Sequence, residues 1–240
     1  MWEVAPEASV DSMAEVKKVN PASWLPKGSL KEQRRRLSDL DFRRFVANQW
    51  ISGMTSWLPP GAWQQGAGEV SIADGERIWV GVDVGGSEAD TAVVWVNERL
   101  DVGVKVFSGD EGVLHAKELI EGPAEGYAIQ EVAFDPWRAK QVALEIEQRR
   151  IRCVEFPQTA GRMHPASERL YRAIVEGRLT HPDDPALNRH VAAAVAKNSP
   201  RGWQLAKAPG GGNIDGVIAL AMCVDRASEP VQETRLVGWL

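Results

Sequence analysis

The stretch Trp79-Val80-Gly81-Val82-Asp83-Val84-Gly85-Gly86-Ser87-Glu88-Ala89-Asp90-Thr91-Ala92-Val93-Val94-Trp95 decides how the rest of the chain is read. Its first half is an apolar run of strand length, a glycine pair breaks it, and a second apolar run follows. Side chains alternate across a strand, so Trp79, Gly81 and Asp83 share one face while Val80, Val82 and Val84 share the other. A carboxylate buried in such a run is costly unless it is paired or bound to a cation. Asp83 is therefore the first candidate functional residue, and a strand-turn-strand is the first structural unit.

Working outward, strands are expected at 78–84, 91–97 and 102–107, then a helix at 113–121. Strand 129–134, helix 137–149 and strand 151–156 come next, followed by helices at 165–177 and 184–197, a strand at 203–207 and a helix at 213–227. The first three strands form an antiparallel meander. The next two arrive through helical crossovers and lie parallel to the first. The expected fold class is α/β: a mixed five-stranded sheet, three antiparallel strands then two parallel, flanked by helices.

Residues 1–76 read differently from 77–240. They carry Pro21, Pro26, Pro59 and Pro60 and the tryptophans Trp2, Trp24, Trp50, Trp57 and Trp63. Their one clear helical stretch is 29–51, with Ser29 as N-cap and Glu32 completing a capping box. This segment reads as a linker or subdomain that packs on something else, and 77–240 as the α/β domain.

Bulk properties exclude several classes. Hydrophobic content of 44% and charged content of 25% are those of an ordinary globular chain. No run approaches the roughly 18 apolar residues of a membrane span. The N-terminus, MWEVAPEASVDSMAEV, lacks the basic and apolar regions of a signal peptide. Cys153 and Cys223 lie far apart in apolar runs and read as buried free thiols of a reducing compartment. The net charge of −5 leaves no general basic footprint for nucleic acid. The basic run between Lys27 and Arg44 reads as a solvated helix face.

Three aspartates carry the chemistry. Asp83 lies in the first strand, Asp135 ends the fourth, and Asp215 opens the last helix. Neighbouring strands lie about 4.8 Å apart. Carboxylates at matching depth on strands one and four can share a divalent ion, or hold two ions about 3.5–4 Å apart. Oxygen-only ligation suits Mg²⁺ or Mn²⁺. Structural readings exist for two of the three: Asp135 before Pro136 is an N-cap, and Asp215 sits where a helix dipole favours an anion.

Asp90 reads as a turn residue or a supporting acid, and Asp225 as a solvated face. Lys207 could steady a phosphate or a carboxylate, or be a surface lysine. His115, His164, His181 and His190 are scattered and read as surface or structural residues. Gly85-Gly86 lacks a following Gly-Lys-Ser/Thr, so it is no P-loop, and no ATP-hydrolysing motif is evident.

Asp83 in its strand-turn-strand, Phe134-Asp135-Pro136-Trp137, and Asn213-Ile214-Asp215-Gly216-Val217-Ile218-Ala219-Leu220-Ala221-Met222 together resemble the nuclease domain of tailed-phage large terminases. Glu155-Phe156-Pro157-Gln158-Thr159, Asn198 and Lys207 fit the same pattern. The resemblance covers about 77–227 and implies an RNase H-like fold. Residues 1–76 resemble the segment that joins the terminase motor to its nuclease, and the ATPase motor itself is absent from this sequence.

What the resemblance implies is a metal-dependent endonuclease that cuts concatemeric double-stranded phage DNA during packaging. Asp83, Asp135 and Asp215 would be ligands of two Mg²⁺ or Mn²⁺ ions, with Lys207 and Asp90 in support. It also implies the small terminase subunit and the portal protein as partners, no membrane, and a place in the host cytoplasm and transiently at the procapsid portal.

Competing readings are another RNase H-like nuclease, such as a Holliday-junction resolvase or an integrase-like enzyme, and an actin-like sugar kinase suggested by Gly81-Val-Asp-Val-Gly-Gly86. A different class is a non-catalytic docking module built on the tryptophan-rich N-terminal segment.

Overall fold

The computed structural model describes Val4 and residues 9–37, 42–49, 54–85, 89–109, 112–122, 126–200, 202–208 and 210–229. In chain order its elements begin with α1 (Met13–Val19), α2 (Lys27–Arg36) and a π-helical turn (Phe42–Val46). Next come β1 (Met54–Ser56), α3 (Ala62–Gln65), β2 (Arg77–Asp83), β3 (Asp90–Asn97) and β4 (Val102–Ser108). Then follow α4 (Gly112–Glu121), β5 (Ala128–Phe134), α5 (Pro136–Glu147), β6 (Cys153–Glu155) and α6 (Ala160–Val175). The chain continues with α7 (Pro185–Ala193), β7 (Ala194–Ser199), β8 (Gly202–Lys207) and α8 (Asp215–Ser228).

The central sheet has the order β4-β3-β2-β5-β6. Its β4-β3-β2 meander is antiparallel, and β5 and β6 are parallel to β2 and β5. This is the mixed five-stranded sheet expected from the sequence, and it arises for the expected reason. β2 is buried on both faces from Ile78 to Asp83, as a strand sandwiched between helical layers must be.

One layer packs Val80, Val82, Val93 and Phe134 against Ala116 and Ile120 of α4 and Ala139, Ala143 and Ile146 of α5. The other packs Trp79, Ala92, Val94 and Ala133 against α8. Helix α8 is buried continuously from Gly216 to Asp225. A helix apolar on all sides is a core helix, and α6 and α7 cover its far side.

A second sheet, β1-β7-β8, is antiparallel throughout. It corrects the expected helix at 184–197. The helix stops at Ala193, and 194–199 is a strand between β1 and β8. Alanine favours helix locally, but pairing on both edges overrides that preference.

The N-terminal helix is also corrected. It starts at Lys27 with Pro26 at the N-cap and no side-chain cap bond, so Ser29 and Glu32 lie inside it and form no capping box. It ends at Arg36; part of the expected stretch (38–41, 50 and 51) lies outside the described residues, as do Gly86 and Trp2. Val10, Val16, Leu30, Phe42 and Val46 make a small core of their own.

Residues 54–68, by contrast, join the main body. β1 pairs with β7, and Trp57 and Trp63 belong to the core beside α8. Their indole N–H groups donate to the Val191 carbonyl (3.0 Å) and to Asn188 Oδ1 (2.7 Å). His181 stacks on Trp63 at 3.8 Å between ring centroids.

Candidate metal centre

The strand registers put three carboxylates on one face at one end of the central sheet, and the helix that covers this face brings a fourth. Partners across a ladder point to the same side. Gly81 pairs with Val94 and Asp83 with Ala92, so two residues further Asp90 of β3 lies on the face of Asp83. In the parallel ladder Gly81 pairs with Ala133 and Val82 with Phe134, so the next step sets Asp83 beside Asp135. This face is the one that α8 covers, and Asp215 is the first residue of α8.

Each carboxylate has a distinct environment. Asp83 is buried, and its Oδ1 accepts from Gln158 Nε2 at 2.9 Å. Asp135 is half-buried and is the N-cap of α5, its Oδ1 accepting the Trp137 amide at 3.1 Å with Pro136 in the first turn. The cap expected from Asp-Pro is thus present at a residue that also borders the site.

Asp90 Oδ1 accepts from Ser108 Oγ at 2.7 Å, and its Oδ2 meets His190 Nε2 at 3.0 Å. Burial would raise the pKa of Asp90, but hydrogen bonds from Ser108, Asn213 and His190 outweigh it and hold the carboxyl below its ordinary value. Asp215 goes the other way. Burial pushes its pKa up and the nearby Asp90 charge adds to the rise, while the helix N-terminal amide and Lys207 oppose it. Its Oδ2 is buried with no hydrogen-bond partner. A buried carboxylate oxygen without a donor needs an explanation, and a cation-binding role is one of the few.

Among the described residues, Asp90, His190 and Asp215 form a group whose candidate ligand atoms all lie within 4.8 Å of one another. Asp83 and Asp135 stand outside that tight group. Lys207 is exposed at the end of β8, close enough for its charge to act on Asp215.

Sequence reasoning missed His190, Gln158 and Asn213 as residues of this end of the sheet. Gln158 and Asn213 carry a signal, since each lies within a segment that carries the family resemblance. His190 carries none, because its partners Asp90 and Gly216 lie 100 and 26 residues away. Asp225, expected on a solvated face, is instead buried and paired with Arg169, because α8 has no solvated face at that position.

The donor set around this end is carboxylate oxygen, which suits a hard divalent cation. The orphaned Asp215 oxygen fits the same chemistry.

A family model described as the terminase large subunit endonuclease domain matches residues 107–230, just over half of the chain. The large terminase subunit of Enterobacteria phage HK97 is 25% identical over 229 residues, 80% of this chain and 45% of the relative. The crystal structure of the HK97 large terminase superposes with a TM-score of 0.63 at 21% identity, covering 94% of this chain and 56% of that one. The large terminase nuclease of thermophilic phage G20c with bound magnesium superposes with a TM-score of 0.52 at 14% identity, covering 74% of this chain and 89% of that one. The chain therefore spans about half the length of the HK97 subunit it matches. With its five-stranded sheet, its RNase H-like topology and the matched segment that holds Asp135, His190 and Asp215, the chain belongs to the terminase large subunit endonuclease domain family.

Proposed function

We propose that this domain is a divalent-metal-dependent endonuclease that cuts concatemeric double-stranded phage DNA during packaging. The observation that carries this reading is the convergence of Asp83, Asp90, Asp135 and Asp215 on one face at one end of the sheet, with Asp215 Oδ2 buried and unpartnered. The bound magnesium of the G20c nuclease supports the choice of ion.

Asp83, Asp135 and Asp215 are proposed to hold two Mg²⁺ or Mn²⁺ ions, with Asp90 as a further acid of the same site. Such ions supply an activated water and stabilise the leaving oxygen of the phosphodiester. The chain's own residues set the conditions for this. Gln158 fixes the rotamer of Asp83 by donating to Oδ1. The α5 cap fixes Asp135. Lys207, exposed at the rim, is placed to meet a DNA phosphate. The cations offset the repulsion between DNA and a protein of net charge −5.

In the packaging role the partners would be DNA, the small terminase subunit and the portal protein, with the enzyme in the host cytoplasm and transiently at the procapsid. Residues 1–76 would join the nuclease to a motor. The pairing of β1 and the burial of Trp57 and Trp63 favour counting 54–76 with the nuclease body.

The test is plasmid cleavage by the purified chain with Mn²⁺, Mg²⁺ or EDTA, beside Asp83→Ala and Asp135→Ala. Metal-dependent nicking and linearisation, lost in both folded variants, is the expected result. Absence of cleavage together with absence of Mn²⁺ binding by titration would overturn the reading in favour of a non-catalytic module.

A further inference from the structure

His190 sits in the last turn of α7, 2% exposed, between β3 and the start of α8. Gly216 donates its backbone N–H to His190 Nδ1 at 2.8 Å. That nitrogen therefore bears the lone pair, and the ring hydrogen is on Nε2, 3.0 Å from Asp90 Oδ2. The approach of the ring to α8 is close. A Cβ on Gly216 would lie 2.8 Å from Nδ1 and 3.2 Å from Leu187 Cδ1, so only glycine admits it. Both ring nitrogens are thus committed, one as acceptor and one as donor. Neither offers a lone pair toward Asp215, although the three residues form a tight group of ligand types.

Asp90, in turn, receives hydrogen bonds from Ser108, Asn213 and His190, which come from β4, the loop before α8, and α7. A carboxylate has about four acceptor sites, so three donors fix its plane and leave about one acceptor site for a cation.

We propose that His190 is a positioning residue of the metal centre: it does not ligate the cation but holds Asp90 in its ligating orientation and ties it to the helix that carries Asp215. The inference rests on the metal-centre reading above. Partners of this kind orient ligands, and their loss typically weakens metal affinity about 10- to 100-fold.

The experiment uses the full 240-residue chain without DNA, with Mn²⁺ as the probe. His190→Asn keeps an acceptor near the Gly216 amide but cannot reach Asp90. His190→Gln carries an amide N–H to about the place of Nε2. Affinity and stoichiometry are read by titration, and the ligand atoms by the ¹⁴N modulation of the Mn²⁺ electron-spin-echo signal. Expected are no coordinated-nitrogen coupling in the parent protein, Mn²⁺ affinity about 10- to 100-fold weaker in His190→Asn with unchanged stoichiometry, and recovery to within a few-fold in His190→Gln.

A directly coordinated imidazole signal in the parent protein, unaltered affinity in His190→Asn, or no recovery in His190→Gln overturns the proposal. The spectrum of the parent protein decides even if a variant fails to fold. A parent protein that binds no Mn²⁺ overturns the metal centre itself, and this inference with it. That result is distinct from Mn²⁺ held through nitrogen.

Discussion

A Cβ built on Gly81 of β2 would lie 2.1 Å from the carbonyl oxygen of Ala219 in α8. The sheet and the helix are therefore in backbone contact, and no side chain separates them. This contact sets the distance from β2 to α8, and Asp215 lies one helical turn before Ala219 while Asp83 lies two residues beyond Gly81. Gly81→Ala forces the helix away or bends the strand. Overpacking of this kind costs about 3 kcal/mol, which for a chain of this size lowers the thermal midpoint by roughly 6–12 °C. Calorimetry checks it; a midpoint within 2 °C or so of the parent would show that the helix shifts freely.

Asp215 gives a pH-dependent expectation. Its folded-state pKa lies above the ordinary 3.8, with burial as the main cause. Between those two values the folded protein binds more protons than the unfolded one, so stability falls as pH rises through that interval, and the loss is complete above it. Without metal at neutral pH, Asp215→Asn removes this penalty, since the amide carries no charge to bury. The metal-free variant is expected to be at least as stable as the parent at pH 7 and to lose its advantage near pH 3. Added Mn²⁺ should stabilise the parent and leave the variant unmoved. Denaturant titrations at two pH values, with Mn²⁺ and with EDTA, read all three effects. A variant less stable than the parent at neutral pH without metal would contradict the assigned penalty.

Arg169 and Asp225 form a pair that the sequence conceals. Asp225 is 2% exposed, and burial raises its pKa while the Arg169 guanidinium opposes the rise. Removing one partner of a buried pair leaves an unpaired buried charge. The Arg169 side chain is 40% exposed, so Arg169→Ala is expected at the low end of the usual cost, about 3 kcal/mol. Asp225→Asn in the same background should recover part of that loss, because it removes the stranded charge; this coupling is what a double-mutant cycle by urea unfolding measures. Strict additivity would show that the pair contributes nothing.

The parts of this fold legible in the sequence are those whose signal is local. The five strands of the central sheet announce themselves as apolar runs, and Asp83 stands out because its run is otherwise uncharged. Asp135 and Asp215 are legible through Asp-Pro and the helix opening that follows Asn213. What was hidden depends on partners far along the chain. Ala194–Ser199 reads as helix because its alanines favour helix, and only β1 and β8 make it a strand. Asp225 reads as solvated because Arg169 is 56 residues away. His190 reads as incidental until α7 brings it between Asp90 and Gly216.

The two thiols give a way to read the stability of α8 itself. Cys153 is half-buried in β6, and its pKa is pushed up to about 12, chiefly by burial. Cys223 is fully buried in α8, two turns beyond Asp215, and burial pushes its thiol up as well. At pH 8 only about one Cys153 in ten thousand is thiolate, so iodoacetamide should label it slowly, and Cys223 only when α8 detaches from the sheet. If a cation joins Asp215 to the sheet, Mn²⁺ at 100 times its dissociation constant stabilises the folded state by about 2.7 kcal/mol, and opening becomes about 100-fold rarer. Labelling of Cys223 should slow by that factor while labelling of Cys153 stays nearly constant, provided β6 reacts without global opening. Peptide mass spectrometry after timed alkylation, with Mn²⁺ or with EDTA, follows both sites in one sample. Equal labelling rates at Cys223 with and without Mn²⁺ would mean that no cation ties α8 to the sheet.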